Sequence, residues 1–90
     1  MRIEQDKVTR LTAHHVKKDV MAAIKRGDAI LDFSSVKTVD SSSVSLVLSW
    51  IRAAQAREIE PKLSCAPEKL FDLAKLYGVV DLIEPFSCVE

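Results

Sequence analysis

Apolar residues recur at helical spacing in three parts of the chain, with short apolar runs between them. The pattern predicts helices at about residues 12–26, 41–58 and 67–78. Thr12 is a plausible N-cap of the first helix, and Pro67 fits the first turn of the third. Gly27 and Gly78 stand where left-handed C-terminal caps belong.

The segments between the helices are typical of short strands. Residues 29–33 form an apolar run, residues 62–65 a second candidate, and residues 3–11 a weak signal. A last strand is predicted from Phe86, Cys88 and Val89. Strands that alternate with helices indicate an α/β domain, and we expect one domain over residues 1–90 with a mixed sheet of about four strands.

The predicted second helix carries two apolar stripes. One contains Val44, Val47, Leu48, Ile51 and Ala54, and the other contains Leu46, Trp50 and Ala53. A helix that lies on a sheet needs one stripe. The second therefore packs on a neighbouring helix or on a partner protein, and for Trp50 the pattern leaves both alternatives open.

Charge and residue usage exclude several functions. Lys+Arg and Asp+Glu both number 13, and this neutral balance disfavours nucleic-acid binding. No segment approaches the roughly 20 apolar residues of a membrane span, so we expect a cytoplasmic protein. Cys65 and Cys88 are expected to be reduced and structural. His14 and His15 are adjacent, so on a helix they cannot bind a metal from one face.

Residues 32–44 are the most informative segment, because an apolar strand leads through a loop to three hydroxyls at a helix start. A serine there is a cap, a contact point or a phosphorylation site. The sequence lacks catalytic motifs such as a Gly-x-Ser-x-Gly elbow. Asp32 and Asp40 are interpreted as strand-end and turn residues that accept hydrogen bonds from local N–H groups, rather than as a catalytic pair. We expect neither enzyme activity nor a cofactor or metal.

The same segment resembles the central signature of STAS domains, the fold of anti-sigma-factor antagonists and of the cytoplasmic tails of sulfate transporters. The resemblance lies in the strand 29–33, in Val36, and in the run 39–44 with Asp40 followed by Ser41. Residues 67–78 also look like the family's third helix. Ser43 departs from the pattern, because the family commonly has Gly there, and its side chain is expected to crowd an approaching partner.

The resemblance implies two alternative functions, both without chemistry. Within the family the chain looks most like the small subunit that binds the ATPase of a bacterial phospholipid transporter at the inner membrane. In anti-sigma-factor antagonists, the position of Ser41 is the serine that a partner kinase phosphorylates. The partner is therefore a transporter ATPase or an anti-sigma kinase, and membrane association occurs only through the complex.

Small polar residues of the second helix extend this predicted contact face. Ser42, Ser45 and Ser49 recur at spacings of three and four, so they form a smooth strip that another backbone can approach. Leu46 and Trp50 border the strip as apolar anchors. The predicted partner-binding residues are Asp40, Ser41, Ser42, Ser43, Ser45, Leu46, Ser49 and Trp50.

Overall fold

The computed structural model describes residues 1–88, and these residues form helices that alternate with short strands. In chain order the elements are β1 (Lys7–Val8), α1 (Ala13–Lys25), β2 (Ile30–Asp32), β3 (Thr38–Val39), α2 (Ser41–Ala56), β4 (Lys62–Ser64), α3 (Glu68–Leu76), α4 (Val80–Ile83), a 3-10 turn (Glu84–Phe86) and β5 (Ser87–Cys88). The predicted α/β class is confirmed. The predicted last strand extended to Val89, which lies outside the described residues.

The strands form two small sheets rather than one. β1 pairs with β3, and β2, β4 and β5 form the other sheet in that order. Every pairing between described strands is parallel, including a bridge from Arg2 to Asp32 beside β2. β3, which the sequence pattern placed in a loop, gives β1 its partner and leads directly into α2.

Side chains alternate between the two faces of the larger sheet. Ile3, Leu31 and Leu63 are buried, whereas Ile30 and Lys62 are exposed. This alternation is expected when helices cover only one face of a sheet. The core therefore lies between the inward residues of the sheet and the apolar stripes of the helices.

Helix α2 is central to this arrangement, because it packs against α1, α3 and α4. Its buried residues come from both apolar stripes, and they include Val44, Val47 and Ile51 of one stripe and Leu46 and Trp50 of the other. With helices on two of its sides, α2 presents only a narrow strip to solvent. That strip begins at the helix N-terminus.

Both glycines end helices in the left-handed conformation, as predicted. Gly27 has φ +85° after α1 and Gly78 has φ +71° after α3. The N–H of Asp28 donates to the carbonyl of Ala23 at 2.9 Å, which closes the last turn of α1. Helix α2 ends the same way at Glu58, with φ 59°, although no glycine stands there.

Helix length bears on membrane insertion in a simple way. None of the helices within residues 1–88 combines the length and the apolar character that a membrane crossing requires.

Candidate functional site

Asp40 fixes the start of α2. It lies immediately after β3, and its Oδ1 accepts a hydrogen bond from the N–H of Ser42 at 2.8 Å. Its Oδ2 accepts from the N–H of Arg10 at 3.1 Å. The carboxylate thus caps the helix and joins it to the turn that precedes α1. Because both oxygens bind backbone N–H groups, Asp40 has a structural role whether or not a partner also touches it.

Ser41 is the first residue of α2, and its side chain is exposed. The sequence left capping, contact and phosphorylation open for this serine. The structure assigns capping to Asp40 instead, so the capping role is wrong for Ser41. An exposed hydroxyl at a helix N-terminus is accessible to another protein, which leaves the contact and phosphorylation alternatives.

Ser43 is fully buried, and its Oγ donates a hydrogen bond to the carbonyl of Val8 in β1. The prediction that Ser43 contacts a partner, or crowds one, is therefore wrong for the folded domain. The helical turn points this side chain at the sheet, where a hydroxyl satisfies a backbone acceptor that glycine would leave without this bond.

Leu46 and Trp50 also lie in the core, with 3% and 1% of their surfaces exposed. Their predicted role as apolar anchors for a partner is a second error. The second stripe of α2 packs on neighbouring helices, which was the other alternative that the sequence allowed for Trp50. The side of α2 that remains at the surface is therefore polar.

What remains at the surface is a run of four serines, Ser41, Ser42, Ser45 and Ser49, which we call the serine face. Ser41 and Ser45 are exposed, whereas Ser42 and Ser49 are half-buried. Beside it lies a shallow groove between α1 and α2, with a volume of about 210 Å³. Ala13, His14, Lys17, Ser42, Ser45 and Leu46 line this groove.

One residue of this region was missed by the sequence analysis. Leu11 is 83% exposed in the turn between β1 and α1, next to Arg10, whose N–H binds Asp40. The apolar pattern placed Leu11 at the end of a weak strand signal over residues 3–11 and gave it no role. Its exposure beside the α2 N-terminus places an apolar side chain near the serine face.

The exposed groups of this site are serine hydroxyls, which can contact another protein or be modified. Asp32 is occupied in its own turn, where its Oδ1 accepts from the N–H of Ser34 at 2.8 Å. Within the described residues, no group of three or more His, Cys, Asp or Glu side chains could hold a metal ion. Cys65 is exposed and has φ 55°, so it does not pack in the core as a structural cysteine was expected to do.

The capping assignment leads to a first prediction. Asp40→Ala removes acceptors for two backbone N–H groups, so it should lower the free energy of unfolding by about 1–2 kcal/mol. Ser41→Ala changes an exposed hydroxyl without a capping role and should stay within about 0.5 kcal/mol of wild type. Urea unfolding of both variants measures the difference. A larger cost for Ser41→Ala than for Asp40→Ala would contradict the assignment.

Comparisons with known proteins identify relatives of this fold. A family model described as "Mlab, STAS domain" matches residues 5–84. A solved structure, that of the anti-sigma factor antagonist SpoIIAA in its unphosphorylated form, superposes with a TM-score of 0.67 at 19% sequence identity. This match covers 97% of the present chain and 74% of that protein. No curated protein sequence matches with significance.

Proposed function

Because this chain belongs to the STAS domain family, we propose that it is a binding and regulatory subunit for the ATPase of a phospholipid ABC transporter of the Mla type. The match to the MlaB family model over residues 5–84 carries this proposal. In this role the chain lies on the cytoplasmic side of the inner membrane, held there by the transporter complex. It regulates a transporter that maintains the lipid asymmetry of the outer membrane.

The surface at the start of α2 suits a protein contact. The serine face is smooth, because its side chains are small, and small side chains lose little conformational entropy when a partner covers them. Leu11 supplies an exposed apolar group beside it. Since Leu46 and Trp50 are in the core, the proposed interface is polar at its centre, with Leu11 as its apolar contact.

The proposed action on the ATPase is non-enzymatic. Members of this family act by binding other proteins. The carboxylates nearest the serines, those of Asp32 and Asp40, accept hydrogen bonds from backbone N–H groups at 2.8 to 3.1 Å, as turn and cap residues do. We therefore propose regulation of the ATPase by docking rather than by chemistry.

The alternative is an anti-sigma-factor antagonist that a kinase switches by phosphorylating Ser41. The exposed hydroxyl of Ser41 favours this alternative, because a kinase must reach its acceptor. The SpoIIAA structure shares the fold with this chain. At 19% identity, however, the likeness concerns the fold and carries no role for Ser41.

One experiment separates the two functions. The purified chain is mixed with the purified ATPase subunit of an Mla-type transporter, and separately with an anti-sigma kinase and ATP. We expect stoichiometric co-elution with the ATPase on size exclusion, and no mass gain of one phosphate in the kinase reaction. A phosphate on Ser41 without any ATPase complex would replace the proposal by its alternative.

A further inference from the structure

The neutral total charge conceals an uneven distribution over the surface. Helices α1 and α2 together carry four cationic residues and one acidic residue. Helices α3 and α4 with the 3-10 turn carry four acidic and two cationic residues. The basic excess thus lies on the two helices that form the serine face and its groove.

Helix α1 places its charges on two distinct sides. Val16 and Val20 are buried, and at about 100° per residue Lys18 and Lys25 lie opposite them, with Lys17 on the flank toward α2. The three lysines line one shallow groove along the exposed side of α1. Lys17 itself lines the groove with Ser45. The acidic residue of α1, Asp19, lies on the other side.

The position of Asp19 follows from its neighbours. It lines a separate surface groove with Met1, Arg2, Glu4, Gln5, Ala22 and Arg26. The groove that the three lysines of α1 line therefore contains no carboxylate.

Helix α2 continues this surface without adding negative charge. No residue of Ser41–Ala56 is acidic, and its charged residue, Arg52, lies on the side that faces α4, in a groove with Asp81. The guanidinium of Arg57, just after the helix, donates to the carbonyl of Lys25 at 3.4 Å. The two helices therefore run side by side, with the serine face on α2 and the lysines on the exposed side of α1.

These cations have no carboxylate partners within residues 1–88. The ion pair that the structure shows there joins the N-terminal ammonium of Met1 to Asp28 at 2.9 Å, away from the α1–α2 surface. The ammonium, by donating a hydrogen bond to Asp28, lowers the pKa of that carboxyl. The lysines of the α1–α2 surface keep their charge available for another molecule.

We propose that the α1–α2 surface, made of Lys17, Lys18 and Lys25 together with the serine face, docks on a carboxylate-rich surface of the partner protein. The inference rests on the proposed function and adds the chemistry of the partner. Opposite charges on the two surfaces steer their encounter and fix their orientation, and they act mainly on the association rate.

A protein fits this surface better than a membrane or a nucleic acid does. Interfacial membrane helices present large apolar residues beside their basic ones. Among the residues whose burial the structure describes, 1–87, the large exposed apolar residues lie outside α1 and α2, namely Leu11, Ile30, Leu76, Tyr77 and Leu82. Nucleic-acid binding needs many phosphate contacts, whereas this surface offers three lysines beside small serines that admit a close protein backbone.

The test compares two charge reversals of equal size. Lys17→Glu/Lys18→Glu reverses the proposed surface, and the control Lys69→Glu/Lys75→Glu reverses two exposed lysines of α3. Binding to the immobilised ATPase subunit is measured by surface plasmon resonance between about 50 and 300 mM NaCl. Circular dichroism checks that both variants fold.

We expect the first variant to associate about tenfold more slowly or worse, with a weaker salt dependence, and the control to behave like wild type. Wild-type rates in the first variant would overturn the inference and leave the proposed function standing. If the wild-type chain formed no complex with the ATPase subunit, both the inference and the proposed function would be overturned. Loss of binding to anionic phospholipid vesicles, with ATPase binding unchanged, would show that the surface serves a membrane instead.

Discussion

Ser45→Glu is expected to abolish the complex with the ATPase while leaving the domain folded. Ser45 is exposed on α2 and lines the groove beside Lys17, so the isolated domain has room for a carboxylate. In the complex the longer side chain would keep the ATPase at a distance. Its negative charge would also be buried, without a counter-ion, against an acidic surface. Binding by calorimetry and the melting temperature by circular dichroism give the two readouts.

The control for this variant is Gln55→Glu, which adds the same charge to the exposed surface of the same helix. Gln55 lies on the side of α2 that faces α4, away from the serine face. We expect it to bind like wild type. If Ser45→Glu lowered the melting temperature strongly, Ser45 would belong to the core. If it folded and still bound, the partner would use another surface.

Trp50→Ala is expected to have the largest effect on stability. The side chain is 1% exposed, and truncation of a buried aromatic residue costs about 3–5 kcal/mol. A domain of this size has about 5–15 kcal/mol in total. At about 4–8 °C for each kcal/mol, the melting temperature should fall by more than about 12 °C.

Leu76→Ala is the matched control, because Leu76 is a large apolar residue that is 75% exposed. Its truncation should change the free energy of unfolding by less than about 0.5 kcal/mol. Trp50 is also the single tryptophan of the chain, so its fluorescence reports on its surroundings. We expect no change in emission when the ATPase binds. A Trp50→Ala variant that is as stable as wild type but fails to bind the ATPase would show that Trp50 belongs to the interface.

The comparison of α2 in the sequence and in the fold shows what a periodic pattern can determine. Its two stripes were visible, because burial on a helix follows a spacing of three and four residues. What covers the second stripe depends on where α1, α3 and α4 pack, and this is a property of the tertiary structure. For this reason Leu46 and Trp50 were open to both interpretations and were placed at the interface.

The ends of the elements show a similar division. Gly27 and Gly78 indicated the ends of α1 and α3 in the sequence, because glycine adopts positive φ without strain. The end of α2 was less clear, since Glu58 takes that conformation with no residue type to signal it. β3 is two residues long, and so short a strand has no periodicity of its own to detect.

The location of the functional site at the start of α2 stays a prediction, while the structure corrects the roles that were predicted for several of its residues. Strand, loop and hydroxyl run were enough to locate the α2 N-terminus. Which hydroxyl points outward depends on the rotation of the helix, which Asp40 fixes through its bond to the N–H of Ser42. Ser43 was therefore placed outside when it faces β1, and Leu11 was missed because its exposure arises from a turn.

The most direct measurement of the central claim is the affinity of Ser41→Glu for the ATPase of an Mla-type transporter. A carboxylate in the first turn of a helix is stabilising by about 0.3–1 kcal/mol, so the isolated variant should be at least as stable as wild type. Within the interface it would be an unpaired buried charge beside an acidic surface.

Isothermal titration calorimetry should then show a loss of affinity of 100-fold or more, which is about 2.8 kcal/mol. Ser41→Thr, which keeps the exposed hydroxyl, should bind within a few fold of wild type. A Ser41→Glu variant that binds the ATPase as tightly as wild type would show that the partner does not dock at the start of α2, and would contradict the account at its centre.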